Sequence, residues 1–305
     1  ARARAERAVL AERVDVDASN TGAHFTPRNL AADVTHPTLS GIACNPGPLQ
    51  TAASDQWRGG PTTDWWPARV ADIACGSGAF LLAAARCLSF HLAQSLRDTG
   101  AAIADDQATM RLTVIENCLY GIDMNPWSVD LARLALSLLV PFEETRGLEK
   151  HLAVGDALAG PVTGPPAAQF PGRHPIDWAR TFPEVFGEDK PHGAGFDAVI
   201  GNPPFLGGQK ITGRLGVDYR KYLVTHIAGG KKGSADLSAY FLLRAHQLVN
   251  ERGQVGLITT NTIAQGGTER SAWTSSSTQA PRSAAPANPR AGQVPQAFST
   301  ASSSP

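Results

Sequence analysis

The sequence predicts an α/β fold with a mainly parallel β-sheet. Three observations predict it: short apolar strands alternate with helical segments, glycines or acidic residues follow several strands directly, and hydrophobic residues make up 42% of the chain. A hydrophobic fraction of this size is enough for a sizeable buried core. At roughly 150 residues per domain, the chain has room for one large domain or two smaller ones.

Apolar runs and helical spacing place five strands and three helices in the central part of the chain. The strands are predicted at residues 69–75, 118–123, 152–156, 196–201 and 254–260, and the helices at residues 79–96, 126–139 and 234–252. Pro126 suits the first turn of a helix, Ser234 is the predicted N-cap of the last helix, and Gly253 follows that helix. Ligands of such sheets bind at the carboxyl ends of the strands, where the glycines and acidic residues fall.

The remaining segments divide the chain into three parts. Residues 1–20 are predicted to form a charged helix and a linker, and residues 21–270 form the main domain. This domain carries irregular insertions at about 40–67 and 160–195. Residues 271–305 contain nine Ser and few large apolar side chains, so they cannot bury enough surface to offset the entropy of ordering. We therefore expect this tail to be disordered.

Both ends of the chain lead us to expect a longer natural protein. The chain starts without Met and without the apolar core of a signal peptide. Its composition changes abruptly near residues 268–271, just after a well-patterned strand, and we expect an interruption of the natural reading frame there.

Charge and cysteine content restrict the classes of protein. Lys+Arg and Asp+Glu both number 27, so net charge gives no support to nucleic-acid binding, and any such case must be local. The four cysteines form no Cys-x-x-Cys pair, so neither a zinc site nor a disulfide framework is predicted, and reduced thiols indicate the cytosol. They are Cys44, Cys75, Cys87 and Cys118. No apolar run of about 18 residues predicts a membrane span.

A glycine turn between the first strand and the first helix is a candidate cofactor site. Residues 72–80 (DIACGSGAF) let the backbone approach a ligand closely, and the following helix offers free N–H groups to an anion. The segment matches neither the dinucleotide pattern G-x-G-x-x-G nor a P-loop. Alone, it could equally be an ordinary strand–helix turn.

Two acidic residues extend this candidate site. Asp123 ends the second strand and could accept hydrogen bonds from two ribose hydroxyls, and Asp156 ends the third strand and could accept from an adenine amino group. Each acid alone could instead be a helix cap or a solvated carboxylate. Three consecutive strand ends with suitable groups favour a cofactor that contains adenosine.

The segment Asn202-Pro203-Pro204-Phe205 follows the fourth strand and is the strongest functional motif. Read alone, it could be a rigid turn. The Asn202 side-chain oxygen and the Pro203 carbonyl can accept the two N–H hydrogens of an exocyclic amine, which stabilises positive charge developing on the nitrogen. Proline rigidity holds the turn, and Phe205 offers a face on which a base can stack.

This motif and its surroundings resemble the large adenine-specific DNA methyltransferases of type II restriction–modification systems that combine nuclease and methyltransferase. The resemblance covers roughly residues 20–270 and is carried by residues 182–186 (FPEVF), 195–205 (GFDAVIGNPPF), 229–237 (GGKKGSADL) and 260–266 (TNTIAQG). It implies a class I methyltransferase fold, Rossmann-like and incomplete at its C-terminal end. It also implies N6 methylation of adenine in DNA, with S-adenosylmethionine as cofactor.

The resemblance also implies roles for individual residues. Phe25-Thr26-Pro27 would close over the methionine end of the cofactor, with Thr26 at its carboxylate; alternatively, Thr26 caps a helix that starts at Pro27. The whole implied cofactor set is Phe25, Thr26, Pro27, Asp72, Ala74, Gly76, Gly78, Asp123, Met124 and Asp156. No nucleophilic cysteine is needed for direct methyl transfer, so Cys75 is expected to be a packing residue.

A basic segment follows the motif and is a candidate DNA contact. Between residues 206 and 232 it holds six cations against the single acid Asp218, a local charge of 6 − 1 = +5. The cations are Lys210, Arg214, Arg220, Lys221, Lys231 and Lys232. The alternative is a solvated surface loop, and Tyr219 and Tyr222 could stack on bases or simply pack.

Two other functions remain open from the sequence. Amino-methyltransferases of ribosomal RNA or of protein glutamine share the Asn-Pro-Pro motif, although residues 25–27 and 231–237 argue against them. The chain could also be an inactive fragment, since the segment after the fifth strand does not supply the further strands, recognition domain or nuclease motif of the family.

Overall fold

The computed structural model describes residues 26–51, 53–98, 106–140, 150–162, 170–187, 193–231, 233 and 235–259. Several predictions lie outside these residues: the N-terminal helix at 1–20, the disordered tail at 271–305 and the interruption near 268–271. The predicted roles of Phe25 and Lys232 and the predicted N-cap Ser234 also lie outside them.

A five-stranded parallel sheet forms the centre of the fold, which confirms the predicted α/β class. Its strands are β1 (Val70–Asp72), β2 (Leu119–Asp123), β3 (Leu152–Val154), β4 (Phe196–Gly201) and β5 (Val249–Leu257). They lie in the order β3-β2-β1-β4-β5, and every described pairing is parallel. The chain therefore builds outward from β1 in one direction and then returns to extend the sheet in the other.

The helices join these strands and cover both faces of the sheet. They are α1 (Arg28–Ala43), α2 (Thr62–Trp65), α3 (Ala79–Asp98), α4 (Gln107–Cys118), α5 (Pro126–Ser137), α6 (Trp178–Thr181), α7 (Pro183–Phe186), α8 (Gly208–Leu215), α9 (Val217–Tyr222) and α10 (Leu237–Leu248), with a 3₁₀ turn at Ser54–Gln56 and a π-helical turn at Leu223–Ile227. Asn125 caps α5 and Pro126 occupies its first turn, as predicted.

Helix α3 lies in the core, where it packs against α1, α4 and the sheet. By length and composition alone this helix could cross a membrane. Ten of its side chains are buried within the protein, as expected for the core helix of an α/β fold.

The last helix and strand differ from the prediction. The helix begins at Leu237 rather than Ser234, because Asp236 is its N-cap and accepts from the Ser238 amide at 2.9 Å. It ends before Val249, where the chain becomes extended and pairs with β4. The polar residues predicted as the end of the helix belong to β5. Among the described strands β5 pairs only with β4, so its other edge is unpaired and tolerates polar side chains.

The predicted irregular insertion at 160–195 contains structure that the composition conceals. Its helices α6 and α7 carry Trp178 and Phe182, both fully buried, into contact with Phe196 of β4. Tyr120 of β2 packs against the same cluster. The prediction of an irregular segment is therefore wrong here, because aromatic side chains spaced by Pro and Gly still fill the core on one face of the sheet. The insertion at 40–67 likewise holds the end of α1, the 3₁₀ turn and α2.

Candidate active site

The topology brings the predicted functional groups to one edge of the sheet. The chain direction switches between β1 and β4, and the carboxyl ends of parallel strands at such a point form a ligand crevice. The glycine turn follows β1, Asp123 ends β2, Asp156 follows β3, and Asn202 follows β4.

The glycine turn adopts a conformation that other residues rarely reach. Gly76 has φ +51° and Gly78 has φ +85°, and both lie directly before α3. A Cβ on Gly78 would lie 3.1 Å from the backbone of Ala132, so this glycine allows the turn to pack against α5. A Cβ on Gly76 would meet no atom within 4 Å, and the turn faces open space there. The turn thus presents backbone and the start of α3 to a ligand.

Asp123 is positioned by the backbone on both sides of it. Its Oδ2 accepts from the Gly76 amide at 2.9 Å and its Oδ1 from the Asn125 amide at 2.8 Å. Burial raises the pKa of this carboxyl above its usual range. Each oxygen keeps a lone pair, so the carboxylate can still accept hydrogen bonds from the two hydroxyls of a ribose.

The Asp72 side chain supports the glycine turn from within the core. The carboxyl is 1% exposed and its Oδ1 accepts from the Ala74 amide at 3.1 Å, which braces the start of the glycine turn. Burial, with a smaller contribution from Asp123, raises the pKa of Asp72 to about 8. The buried carboxyl therefore holds the backbone at the start of the turn, and its predicted contact with the cofactor stays a prediction.

Asp156 is already paired with donors of the chain. Its Oδ2 accepts from Arg173 Nη1 at 2.6 Å and from the Tyr219 hydroxyl at 2.8 Å, and its Oδ1 accepts from the Leu158 amide at 2.9 Å. Arg173 Nη1 also lies 3.3 Å from the sulfur of Met124, which is 44% exposed. Asp156, predicted to meet the cofactor's adenine, and Met124, another residue of the implied cofactor set, are therefore bridged by one arginine.

The Asn202 side chain has a hydrogen-bond partner at its nitrogen and none at its oxygen among the described residues. Its Nδ2 donates to the Thr26 hydroxyl at 3.2 Å, across 176 residues of sequence. Its buried Oδ1 has no hydrogen-bond partner among the residues that the structure describes. A buried amide oxygen without a partner is costly, so its presence at a strand end indicates a ligand that supplies the donor. Thr26 does not cap a helix, since Pro27 is the N-cap of α1.

Gly201 allows the end of β4, just before Asn202, to lie close to the Asp72 carboxyl. An added Cβ would lie 2.7 Å from Asp72 Oδ1 and 3.3 Å from its Cγ. The Gly201 carbonyl accepts from the Ile258 amide at 3.0 Å, so the end of β4 is also held by the chain beyond β5. The turn that begins with Asn202 therefore starts from a fixed backbone.

The rest of the motif leads toward α8. Pro203 is buried, while Pro204 and Phe205 are half-buried. The carbonyl of Leu206 accepts from the Leu237 amide at 2.9 Å, which ties the turn to the start of α10. Phe205 is thus partly exposed directly after the two prolines, and its predicted role in base stacking stays a prediction.

The predicted basic residues fall into two groups. Lys210, Arg214 and Lys221 are exposed on α8 and α9, close in sequence to the motif. Arg220 is half-buried and donates to Thr212 Oγ1 at 2.9 Å and to the Gly233 carbonyl at 3.2 Å, so its guanidinium also holds the basic segment together. Lys231 is half-buried. Tyr219 is buried and Tyr222 half-buried, with its hydroxyl bonded to the Ala159 carbonyl, so both pack.

A cavity of about 660 Å³ runs from the edge of this site along α3. Its lining includes Thr26 and Ser77, and most of the other lining residues are apolar side chains of α1, α3 and α5. The lining does not include Asp123, Asp156 or Asn202, so this cavity is a separate groove beside the crevice.

Two residues that the sequence analysis did not single out shape the site. Arg173, in the insertion, pairs with Asp156, and Arg244, in α10, is 3% exposed and donates to the carbonyls of Leu158 and Gly160. Burial lowers the pKa of Arg244. A charged residue within a mostly apolar helix was the sequence feature that could have identified Arg244 as a structural residue. No local sequence pattern marks Arg173.

The cysteines take no part in the chemistry of the site. Cys75 is buried, and burial together with Asp72 and Asp123 raises the pKa of its thiol well above the usual range, which makes it a packing residue. All four cysteines are free thiols. Among the described residues, no group of three or more His, Cys, Asp or Glu side chains is placed to hold a metal ion.

Comparison with solved structures supports the fold. A cryo-EM structure of a DrdV–DNA complex is similar with a TM-score of 0.52 and 14% identity, covering 83% of this chain and 22% of that one. The ATP-dependent Type ISP restriction-modification enzyme LlaBIII bound to DNA is similar with a TM-score of 0.51 and 14% identity, covering 80% of this chain and 15% of that one. The chain therefore spans less than a quarter of the length of these proteins, and the likeness concerns the fold.

Sequence comparison identifies the family. No curated protein matches the chain. The Eco57I restriction-modification methylase family matches residues 117–279, just over half of the chain. This range includes β2, the Asp156 loop, the Asn202 turn and the basic helices. The chain belongs to the Eco57I restriction-modification methylase family.

Proposed function

We propose that this protein transfers a methyl group from S-adenosylmethionine to the N6 amine of adenine in DNA, as the modification part of a restriction–modification or related phage-defence system. The observation that carries the proposal is the Asn202 side chain. Its amide nitrogen is held by Thr26, and its buried oxygen has no partner among the described residues, at the switch point of a parallel sheet.

The geometry of Asn202 suits an amine substrate better than a hydroxyl or carbon substrate. With Nδ2 donating to Thr26, the buried Oδ1 is the side-chain atom left without a partner among the described residues, and it can accept a hydrogen bond from a substrate N–H. The Pro203 carbonyl supplies a second acceptor on the same turn. Two acceptors on an exocyclic amine orient its lone pair and stabilise the positive charge that grows on nitrogen.

The residues at the strand ends fit S-adenosylmethionine. The turn at Gly76–Gly78 and the start of α3 suit the carboxylate of its methionine part, Asp123 suits the ribose hydroxyls, and Met124 offers an exposed apolar surface to the base. When bound, this cofactor supplies a methyl group activated on a sulfonium sulfur. The chain's own residues orient it and hold the amine opposite.

The substrate is proposed to be duplex DNA in the bacterial cytoplasm. A base must leave the stack before its amine can reach a pocket at the strand ends, and Phe205 offers it a surface. Three exposed basic residues lie on α8 and α9 directly after the motif: Lys210, Arg214 and Lys221. There they can contact DNA phosphates and fix the position of the protein along the duplex.

The proposal is tested by offering the 305-residue chain three methyl acceptors. Duplex DNA, ribosomal RNA and total protein are incubated separately with cofactor labelled in its methyl group. Label is expected in DNA, and after hydrolysis to nucleosides it should appear as N6-methyladenine. Label in RNA or protein, in cytosine, or in no acceptor would contradict the proposal.

A further inference from the structure

Arg173 contacts the two residues that are expected to meet the adenine of the cofactor. Its Nη1 lies 2.6 Å from Asp156 Oδ2 and 3.3 Å from the Met124 sulfur. Asp156 follows β3 and Met124 follows β2, so these two residues stand at neighbouring strand ends. The guanidinium therefore bridges the space between them at the carboxyl edge of the sheet.

The planar guanidinium of Arg173 also stacks on an aromatic ring. Its central carbon lies 3.9 Å from the centre of the Tyr219 ring, within the range of a cation–π contact. Tyr219 is held in turn by its own hydrogen bond to Asp156 at 2.8 Å and by an edge contact with Phe170. The site thus recognises a planar group that stacks on one face and donates an N–H to a carboxylate. An adenine with its exocyclic amine has the same properties.

We infer that Arg173 is an internal ligand of the adenine subsite and must withdraw before the cofactor's adenosine binds. This inference rests on the proposed function. It assigns to the segment around Arg173, just before α6, control over access to the cofactor site. Asp156 changes partners in this exchange: the adenine amine replaces the arginine as donor.

The surroundings of Arg173 allow the side chain to leave while its backbone stays. The Asp156 amide donates to the neighbouring His174 carbonyl at 2.7 Å, and the Arg173 amide donates to the Phe170 carbonyl at 3.0 Å. These bonds hold the loop, whereas the Arg173 side chain is 15% exposed and has a solvent path. Asp156 keeps Tyr219 and the Leu158 amide as donors when the guanidinium departs.

An internal ligand lowers the apparent affinity for the cofactor. If the guanidinium occupies the subsite about nine-tenths of the time, its removal should tighten binding about tenfold, because the apparent dissociation constant scales inversely with the competent fraction. A side chain that instead helped to hold the adenine would have the opposite effect when removed. The direction of the change therefore decides between the two roles.

The first test measures S-adenosylhomocysteine binding by isothermal titration calorimetry to the full chain and to Arg173→Ala. Tighter binding by the variant is expected. Arg180→Ala, which removes an exposed arginine of α6 in the same insertion, is the matched control and should bind as the parent does. Equal or weaker binding by Arg173→Ala overturns the inference.

The second test needs no substitution and remains decisive if Arg173→Ala fails to fold. Phenylglyoxal modification of the unaltered chain is mapped by mass spectrometry with and without S-adenosylhomocysteine. The Arg173 peptide should react faster with the ligand present, because the guanidinium leaves Asp156. Unchanged or slower modification overturns the inference, since a direct ligand contact would shield the side chain.

The two tests separate this inference from the proposed function. Binding to the unaltered chain without faster modification of Arg173 leaves the methyltransferase proposal standing and rejects the internal ligand. No binding of S-adenosylhomocysteine to either the unaltered chain or the variant rejects the cofactor itself, and with it both proposals.

Discussion

Gly201→Ala is predicted to destabilise the fold through one close contact and through backbone strain, since Gly201 has φ +156°. Gly201 ends β4 immediately before Asn202, and an alanine Cβ at this position would lie 2.7 Å from Asp72 Oδ1. That distance is shorter than real Cβ contacts allow, so one of the two groups must move. Asp72 is 1% exposed and bonded to the Ala74 amide, and Gly201 is bonded to Ile258, so neither moves freely.

The expected loss in free energy of unfolding follows from overpacking of a buried site. Forcing an extra methyl group into a well-packed interior costs about 1–3 kcal/mol. For a domain of this size, each kcal/mol lowers the melting temperature by about 2–4 °C. The added methyl group should also displace the backbone at the start of the Asn202 turn. The rate of methyl transfer should therefore fall as well, even at temperatures where the variant is fully folded.

Chemical denaturation and thermal melting measure this cost, and another glycine of the chain supplies the control. Gly213 lies exposed within α8 and a Cβ there would meet no atom within 4 Å, so Gly213→Ala should be neutral or stabilising by up to about 1 kcal/mol. Repeating Gly201→Ala in an Asp72→Ala background should remove the part of the cost that comes from this contact, while the part due to the backbone conformation remains. An equal cost in both backgrounds would refute the proposed contact.

Three further predictions concern the site and the core. Burial raises the pKa of Asp72 from 3.8 to about 8, so between these pH values the folded state retains a proton that the unfolded state releases. The free energy of unfolding should therefore fall as the pH rises through this range. Denaturation at several pH values should show a smaller fall for Asp72→Asn. Trp178→Ala should cost about 3–5 kcal/mol in the same measurement, since the indole is fully buried beside β4, and a cost under 1 kcal/mol would contradict the core placement of α6. Thr26→Val should lower turnover about 2- to 12-fold at saturating cofactor, because Asn202 loses a hydrogen bond of about 0.5–1.5 kcal/mol, whereas Thr26→Ser should keep the parent rate.

The sheet and the Asn202 turn could be predicted because their signals are local. An apolar run followed by glycines, an acid or Asn-Pro-Pro marks a strand end wherever it occurs, and residues 196–201 form the predicted strand without change. The parallel sheet then places these ends together, whatever the length of the insertions. This is why Asp123 and the glycine turn meet as expected, joined by the Gly76 amide.

The errors concern features that depend on distant partners. Asp72 and Asp123 both end apolar strands, yet only the packing of Gly201 and the glycine turn shows that Asp72 is the more buried of the two. The segment at 249–252 is polar and resembles a helix end, but pairing with β4 makes it a strand. Arg173 lies in a Pro- and Gly-rich segment with no period, and its role appears only where the chain folds back to Asp156.

Asn202→Ala tests the central claim most directly, because it removes the unpartnered acceptor and leaves the cofactor residues in place. Turnover on duplex DNA at saturating cofactor should fall about 10²–10³-fold, as for removal of a group aimed at developing charge, while S-adenosylhomocysteine binding and the melting temperature stay close to those of the parent chain. A variant that still forms N6-methyladenine at nearly the parent rate would contradict the assignment of Asn202 as the acceptor of the target amine.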